Sequence, residues 1–165
     1  MAELFVNANW GRWIFASFSK HFNTEFTSVI TLFIEGQHRN TKYETDFLEL
    51  RIDGPFAIQV SRGCWKLRTE ISILAQSVMN DTSYHRHIQN IGTAQSAFKI
   101  CIPIYKLGNG PSDDGSLLGQ MKLLQNRADR HYIEAYNFGQ IDRNTKLLQG
   151  TVEAHYEMEL NTNEA

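Results

Sequence analysis

The stretch CWKLRTEISILAQS, residues 64 to 77, constrains the fold more than any other part of the chain. Trp65, Leu67, Thr69, Ile71, Ile73 and Ala75 share one parity, and Lys66, Arg68, Glu70, Ser72 and Gln76 share the other. Only Leu74 breaks the pattern. Side chains of a strand alternate between faces, so a period of two sustained this long predicts a long antiparallel strand with one dry and one wet face. The closing segment LLQGTVEAHYEMELN, residues 147 to 161, repeats the pattern. Val152, Ala154, Tyr156, Met158 and Leu160 alternate with Glu153, His155, Glu157 and Glu159.

The remaining segments fit around such strands. NWGRWIFASFSKHF carries Trp10, Trp13, Ile14, Phe18 and Phe22 at helical spacing, with Asn7 or Asn9 placed to cap it. Gly11 weakens that helix locally or admits a neighbour. SVITLFIEG and FLELRIDGPF read as strands, and Asp53-Gly54-Pro55 as a hairpin-like reversal into FAIQVSRG. A second helix is expected over TSYHRHIQNIGTAQSAFK, capped by Asn80 or Asp81, with Tyr84, Ile88, Ile91, Ala94 and Phe98 on its apolar side. Pro103 demotes ICIPIYKL to an edge strand or a strand start. LLGQMKLLQ and HYIEAYNFG are further strands, with polar turns at Asn126 to Arg130 and Asp142 to Thr145. HRNTKYET and GNGPSDDGS read as loops. Little apolar surface ties down Gly36 to Thr45 or the GNGPSDDGS loop, so both are expected to reorganise readily.

No repeat or linker interrupts this order. A chain of 165 residues suits a single domain spanning 1–165, with room for a sizeable core. Strands in runs with two helices imply an α+β fold, a mostly antiparallel sheet with the two main helices packed on one face.

Chemistry-bearing motifs are sparse. His85 and His87 lie two apart on a helix and point in different directions, so they share no metal; they read as surface histidines. Glu153, His155 and Glu157 share a strand face about 6 to 7 Å apart, a spacing compatible with acid–base work. Such sites normally draw their members from several elements, and four consecutive polar positions on one strand instead describe a solvated face. There is no G-x-S-x-G elbow, no phosphate cradle ending in Lys-Ser/Thr and no calcium-loop spacing around Asp113 and Asp114. No catalytic residue, cofactor or metal site is therefore expected. Cys64 and Cys101 lack CxxC spacing, which points away from a disulfide framework or zinc knuckle. Net charge is −2 without a basic block, so a nucleic-acid grip is not expected. The first twenty residues lack a signal-peptide pattern and no apolar run could cross a bilayer, so a soluble, intracellular chain is expected. Nineteen aromatics, ten of them Phe, suit broad packing or subunit contacts.

The order of elements resembles the tail-terminator and neck-ring proteins of tailed bacteriophages. The opening helix NWGRWIFASFSKHF, LELRIDGP leading to WKLRTEISILAQS, the helix after VMNDTSYH and the closing NFGQIDRNTKLLQGTVEAHYEMEL carry that resemblance over nearly the whole chain. It implies a structural virion protein without catalysis or cofactor, assembled in the host cytoplasm. Such a protein forms a homo-oligomeric ring, commonly a hexamer, between the head connector and the tail tube, and genomic DNA only passes through its lumen. On that reading Glu153, Glu157 and Glu159 line the lumen or form the outer wet face, since an acidic wall repels phosphates. A tail-tube or baseplate subunit shares the same general architecture. A different class, a small α+β enzyme or ligand-binding domain, would use Glu153, His155 and Glu157 in a pocket.

Overall fold

The computed structural model describes residues 8–36, 45–80, 82–126, 128, 130–140 and 146–161. The fold is mixed α/β, with two helices and a seven-stranded, mostly antiparallel sheet among these residues. In chain order the elements are α1 (Trp10–Phe26), β1 (Thr31–Ile34), β2 (Asp46–Ser61), β3 (Cys64–Val78), α2 (Ser83–Ser96), β4 (Cys101–Tyr105), β5 (Leu117–Leu123), β6 (Ile133–Gln140) and β7 (Leu147–Asn161). The strands are ordered β1-β2-β3-β7-β5-β4. β6 also pairs with β7, along the half that β5 leaves open. Only β1 runs parallel to its neighbour.

The two long alternating segments lie side by side. β3 and β7 pair without interruption from Cys64↔Asn161 to Val78↔Leu147. The inner parity of β3 is buried at Leu67, Thr69, Ile71, Ile73 and Ala75, and that of β7 at Val152, Ala154, Tyr156, Met158 and Leu160. Against this surface α1 presents Trp10, Trp13, Ile14, Phe18, Phe22 and Phe26. Phe18 meets Tyr156 edge-on at 5.3 Å between ring centres, and Phe22 meets Phe98 at 5.1 Å. Burying each such side chain contributes about 1.5–3 kcal/mol. Ser17 fixes the depth of docking: its hydroxyl donates to the Tyr105 carbonyl at 3.3 Å and accepts from the Tyr105 N–H at 2.9 Å.

Several local expectations are corrected. The Asp53-Gly54-Pro55 segment does not reverse the chain. β2 runs straight through it, and the reversal falls at Arg62-Gly63 between Ser61 and Cys64. From Asp53↔Glu70 to Phe56↔Arg68 β2 advances three residues while β3 advances two, which is a bulge. Gly54 sits at φ 105°, and a Cβ there would lie 2.8 Å from the Arg68 carbonyl oxygen. Glycine is therefore required by the close approach of β3 rather than by a turn. Gly11 lies against the Pro55 ring, 3.5 Å from where a Cβ would stand, so it admits a neighbour as anticipated.

The opening helix extends to Phe26, four residues beyond its expected end. Asn9 occupies its N-cap position without capping the backbone; its side-chain oxygen accepts from Arg12 at 3.0 Å. Asn7 lies outside the described residues, as do Asp81, the polar segment 37–44 and residues 141–145. In α2 the buried positions are Ser83, His87, Ile91 and Ala94, while Tyr84 and Ile88 face water. The expected apolar face thus holds at Ile91, Ala94 and Phe98, and in the first turns Ser83 and His87 take the place of Tyr84 and Ile88. The helix packs closely on the sheet at Gly150, where a Cβ would meet Ile91 at 2.5 Å and the Tyr136 carbonyl at 2.8 Å. Pro103 does lie on an edge strand, β4.

The GNGPSDDGS loop is held more firmly than its composition suggests. The Asp113 carboxylate accepts from Trp13 Nε1 at 2.7 Å, from Arg12 Nη2 at 2.9 Å and from the Gly110 N–H at 2.8 Å. Its side chain is fully covered. Hydrogen bonds from Arg12 and then Trp13 pull its pKa down to about 2.

Two predictions follow from these contacts. Gly150→Val overpacks the α2–β7 contact and lowers stability by about 1–3 kcal/mol in chemical unfolding. Because the folded pKa of Asp113 lies below its ordinary value of 3.8, its contribution is present above that value and is lost as pH falls toward about 2. Thermal melts of Asp113→Asn between pH 5 and 2 should show a shallower acid decline than the parent; an identical slope would remove the assignment.

Candidate functional site

The wet face of the sheet is where the glutamates of β7 stand, and the strand register dictates what each one meets. At successive levels the outward rows are Ile58–Lys66–Glu159, Phe56–Arg68–Glu157–Lys122, Asp53–Glu70–His155 and Arg51–Ser72–Glu153–Glu134. Opposite charges placed directly across strands attract, and like charges repel. The first two levels are attractive around Glu157, and the last two each set carboxylates against each other, Asp53 with Glu70 and Glu153 with Glu134.

Glu157 is the best-held group on this face. Its side chain is only 11% exposed, with Lys66 Nζ at 3.0 Å from one oxygen and Arg68 Nη2 at 3.0 Å from the other. Burial pulls its pKa up, but the hydrogen bonds and charges of Lys66 and Arg68 together outweigh that and hold it below the usual carboxylate range. Lys66 is reciprocally raised, first by its hydrogen bond to Glu157. Glu159 is largely exposed and reaches Lys66 only at 3.7 Å. His155 Nδ1 lies 3.6 Å from Glu70, with both side chains about half exposed. Glu153 is exposed and has no ion-pair partner among the described residues.

A groove of about 660 Å³ lies over this region, lined by Ile58, Lys66, Arg68, Gln125, Asn126, His155 and Glu157. A second depression of about 220 Å³ shares His155 and holds Arg51, Asp53, Glu70 and Glu153. The structure therefore brings His155 and Glu157 to one groove and leaves Glu153 in the other. Glu153 and Glu157 are four residues apart on the strand, about 13 Å, too far for a carboxylate pair acting on one bond. A carboxylate held ionised by two cations is also a poor proton donor near neutral pH. No three His, Cys, Asp or Glu side chains among the described residues converge as a metal site requires. No helix among them is long and apolar enough to cross a membrane.

Sequence reasoning placed two groups wrongly or not at all. His87, read as a surface residue, is fully buried between α2 and β3, with Nδ1 3.3 Å from the Ser77 hydroxyl. Burial pushes its pKa down. The missed signal is its four-residue spacing from Ser83 and Ile91, which puts all three on one stripe. The exposed apolar residues of the wet face, Phe56, Ile58, Val60, Tyr136 and Phe138, were also missed. No protein-family model matches the chain, and no curated protein matches it.

Glu157→Gln removes the carboxylate that neutralises two cations. The expected result is a drop in thermal stability and a return of the Lys66 pKa toward its ordinary value, read by NMR titration of the lysine side chain. An unchanged Lys66 titration would show that the pair does not persist in solution.

Proposed function

We propose that this protein is a structural virion component of a tailed bacteriophage. In this reading it forms a homo-oligomeric ring at the head–tail junction, a hexamer by resemblance, which ends the tail tube and joins it to the connector. The observation that carries the reading is the set of large apolar side chains standing on the polar face of the sheet. Phe56 is 47% exposed, Val60 54% and Phe138 55%. Apolar surface of this kind, rimmed by charge, marks a protein–protein contact. The element order supports the reading as well: an aromatic helix, two long paired strands, a second helix and a closing strand. Both helices contribute side chains to one core with the inner parity of β3 and β7, which supports their packing on a single face of the sheet.

The groove chemistry fits assembly better than turnover. Its charges are matched across strands, and the reading assigns it no cofactor and no catalytic residue. The virion, assembled in the host cytoplasm, would be the site of action, with connector and tail-tube proteins as partners. A tail-tube or baseplate subunit would use the same surfaces. Genomic DNA would only pass through, and Glu153 and Glu159 would supply the repulsion, since Glu157 is already neutralised by Lys66 and Arg68. The competing reading, a ligand-binding or catalytic domain, draws on the groove around His155 and Glu157.

Light scattering during size exclusion, followed by negative-stain microscopy, tests the proposal. Species that are multiples of 19.0 kDa and rings or short tubes are expected. Turnover of a small molecule that disappears in His155→Ala would replace the proposal with the competing one. For the lumen assignment, converting Glu153, Glu157 and Glu159 together to Gln should slow genome exit or make DNA adhere to particles. Unchanged ejection would remove that assignment.

A further inference from the structure

We propose that α2 is an acid-sensitive latch: protonation of His87 lifts the first half of the helix from the sheet while its second half stays docked. The latch works within one chain and does not depend on assembly. Different chemistry holds the two halves. From Ile91 onward the contact is apolar, with Ile91, Ala94, Ala97 and Phe98 in the core and Phe98 packed on Phe22 and Tyr156. Before Ile91 the contact is polar. The Ser83 hydroxyl donates to the Asn80 carbonyl at 2.7 Å, Arg86 is paired with Asp46 of β2, and the Tyr84 hydroxyl accepts from Asn137 of β6 at 3.3 Å. Apolar contacts are indifferent to pH near neutrality, whereas a contact built on an imidazole is not.

His87 is the centre of the polar half. Its side chain is fully buried, with Nδ1 3.3 Å from the Ser77 hydroxyl of β3. That hydroxyl oxygen also accepts from Asn90 at 3.4 Å. Nε2 is buried and has no hydrogen-bond partner among the described residues. A neutral ring tolerates this, whichever nitrogen carries the proton. An imidazolium carries a charge and two N–H donors, and here one donor stays unpaired. Lifting the helix gives that charge to water.

The surroundings do little to compensate. Asp46, the carboxylate that faces the ring, is already engaged by Arg86 of α2 itself. β3, β6 and β7 bring up Ser77, Asn137 and the Gln149 main chain, all uncharged. Burial lowers the pKa of His87 by more than Gln149, Asn137 and Asp46 together raise it. Because the folded value lies below the ordinary 6.5, docking is fully supported above 6.5 and weakens as pH falls below it through the folded value. His85, two residues away on the same helix, is exposed, so its protonation leaves docking unchanged.

Amide hydrogen exchange of the full chain between pH 7.5 and 5.5, read by NMR and corrected for intrinsic rates, tests the latch. Amides from His87 to Asn90 should exchange faster than those of the β3–β7 ladder at every pH. Their opening constant should rise roughly tenfold across the range, as uptake of one proton by an ordinary imidazole requires. His87→Gln should abolish the rise, and His85→Gln should keep it. Four results would each overturn the latch: no rise in the parent, equal exchange in α2 and β3, a rise that survives His87→Gln, or one that disappears in His85→Gln. Should His87→Gln fail to fold, NMR titration of the His87 ring in the parent decides. A midpoint below 6.5 is expected, and one at or above 6.5 overturns the proposal.

Discussion

The continuous pairing of β3 with β7 is the constraint on which the rest of the molecule depends. Its fifteen partners run from Cys64↔Asn161 to Val78↔Leu147 without a bulge. Because parity is never lost, every inner residue of one strand stands beside an inner residue of the other: Leu67 by Met158, Thr69 by Tyr156, Ile71 by Ala154. The result is a continuous apolar strip to which the aromatic stripe of α1 adheres. Tyr156 is its centre. Its ring packs against Phe18 and Phe98, and its hydroxyl donates to the Lys99 carbonyl at 2.7 Å. Burial raises its pKa well above that of a free phenol, so it remains a neutral donor at any physiological pH. The same unbroken parity fixes the other face, where Arg68 must meet Glu157 and Glu70 must meet His155.

Parity breaks are then informative, because they lie outside the β3–β7 ladder. β2 shifts register twice against β3 and β6 once against β7, and the shift at Asp53/Phe56 turns Phe56 and Ile58 to a face that is otherwise charged. Covering Phe56 or Val60 within one chain would need an element on the outer face, and among the described residues neither helix is in contact there. Gly54 makes the first bulge possible. Its positive φ and the proximity of the Arg68 carbonyl exclude a side chain, so the sequence commits a glycine and a proline to redirecting a strand rather than ending it. On the proposed self-assembly, a neighbouring subunit would cover Phe56 and Ile58.

Much of this was legible from residue order alone, and the failures have specific causes. The two long strands were readable because alternation over a dozen positions has no competing explanation. The edge position of β4 followed from Pro103. The hairpin expected at Asp53 was wrong because Asp-Gly-Pro has the chemistry of a turn, and only the partner strand decides whether the chain reverses there or bulges. On the expected face of α2, Ile91, Ala94 and Phe98 are buried as read, but Tyr84 and Ile88 were misassigned because they are apolar while His87 and Ser83, which take their place, are polar. A buried histidine hydrogen-bonded to Ser77 defeats a count of hydrophobic positions. Asp113 was unreadable for a different reason: its partners, Arg12 and Trp13, lie a hundred residues away. No local pattern encodes a tie of that length.

The candidate site shows the same division between local pattern and long-range pairing. Glu153, Glu157 and Glu159 look equivalent along β7, and in isolation they describe an acidic wall. Across the sheet they differ. Glu157 is enclosed by Lys66 and Arg68, Glu159 touches one of those cations at its margin, and Glu153 stands between Ser72 and Glu134. Desolvating two facing carboxylates without a cation is costly, whereas desolvating them against an arginine is not. The acidic pair at Glu134 and Glu153 therefore belongs at a surface that stays wet or one that acquires positive charge from outside. The aromatic pair beside it disfavours permanent solvation.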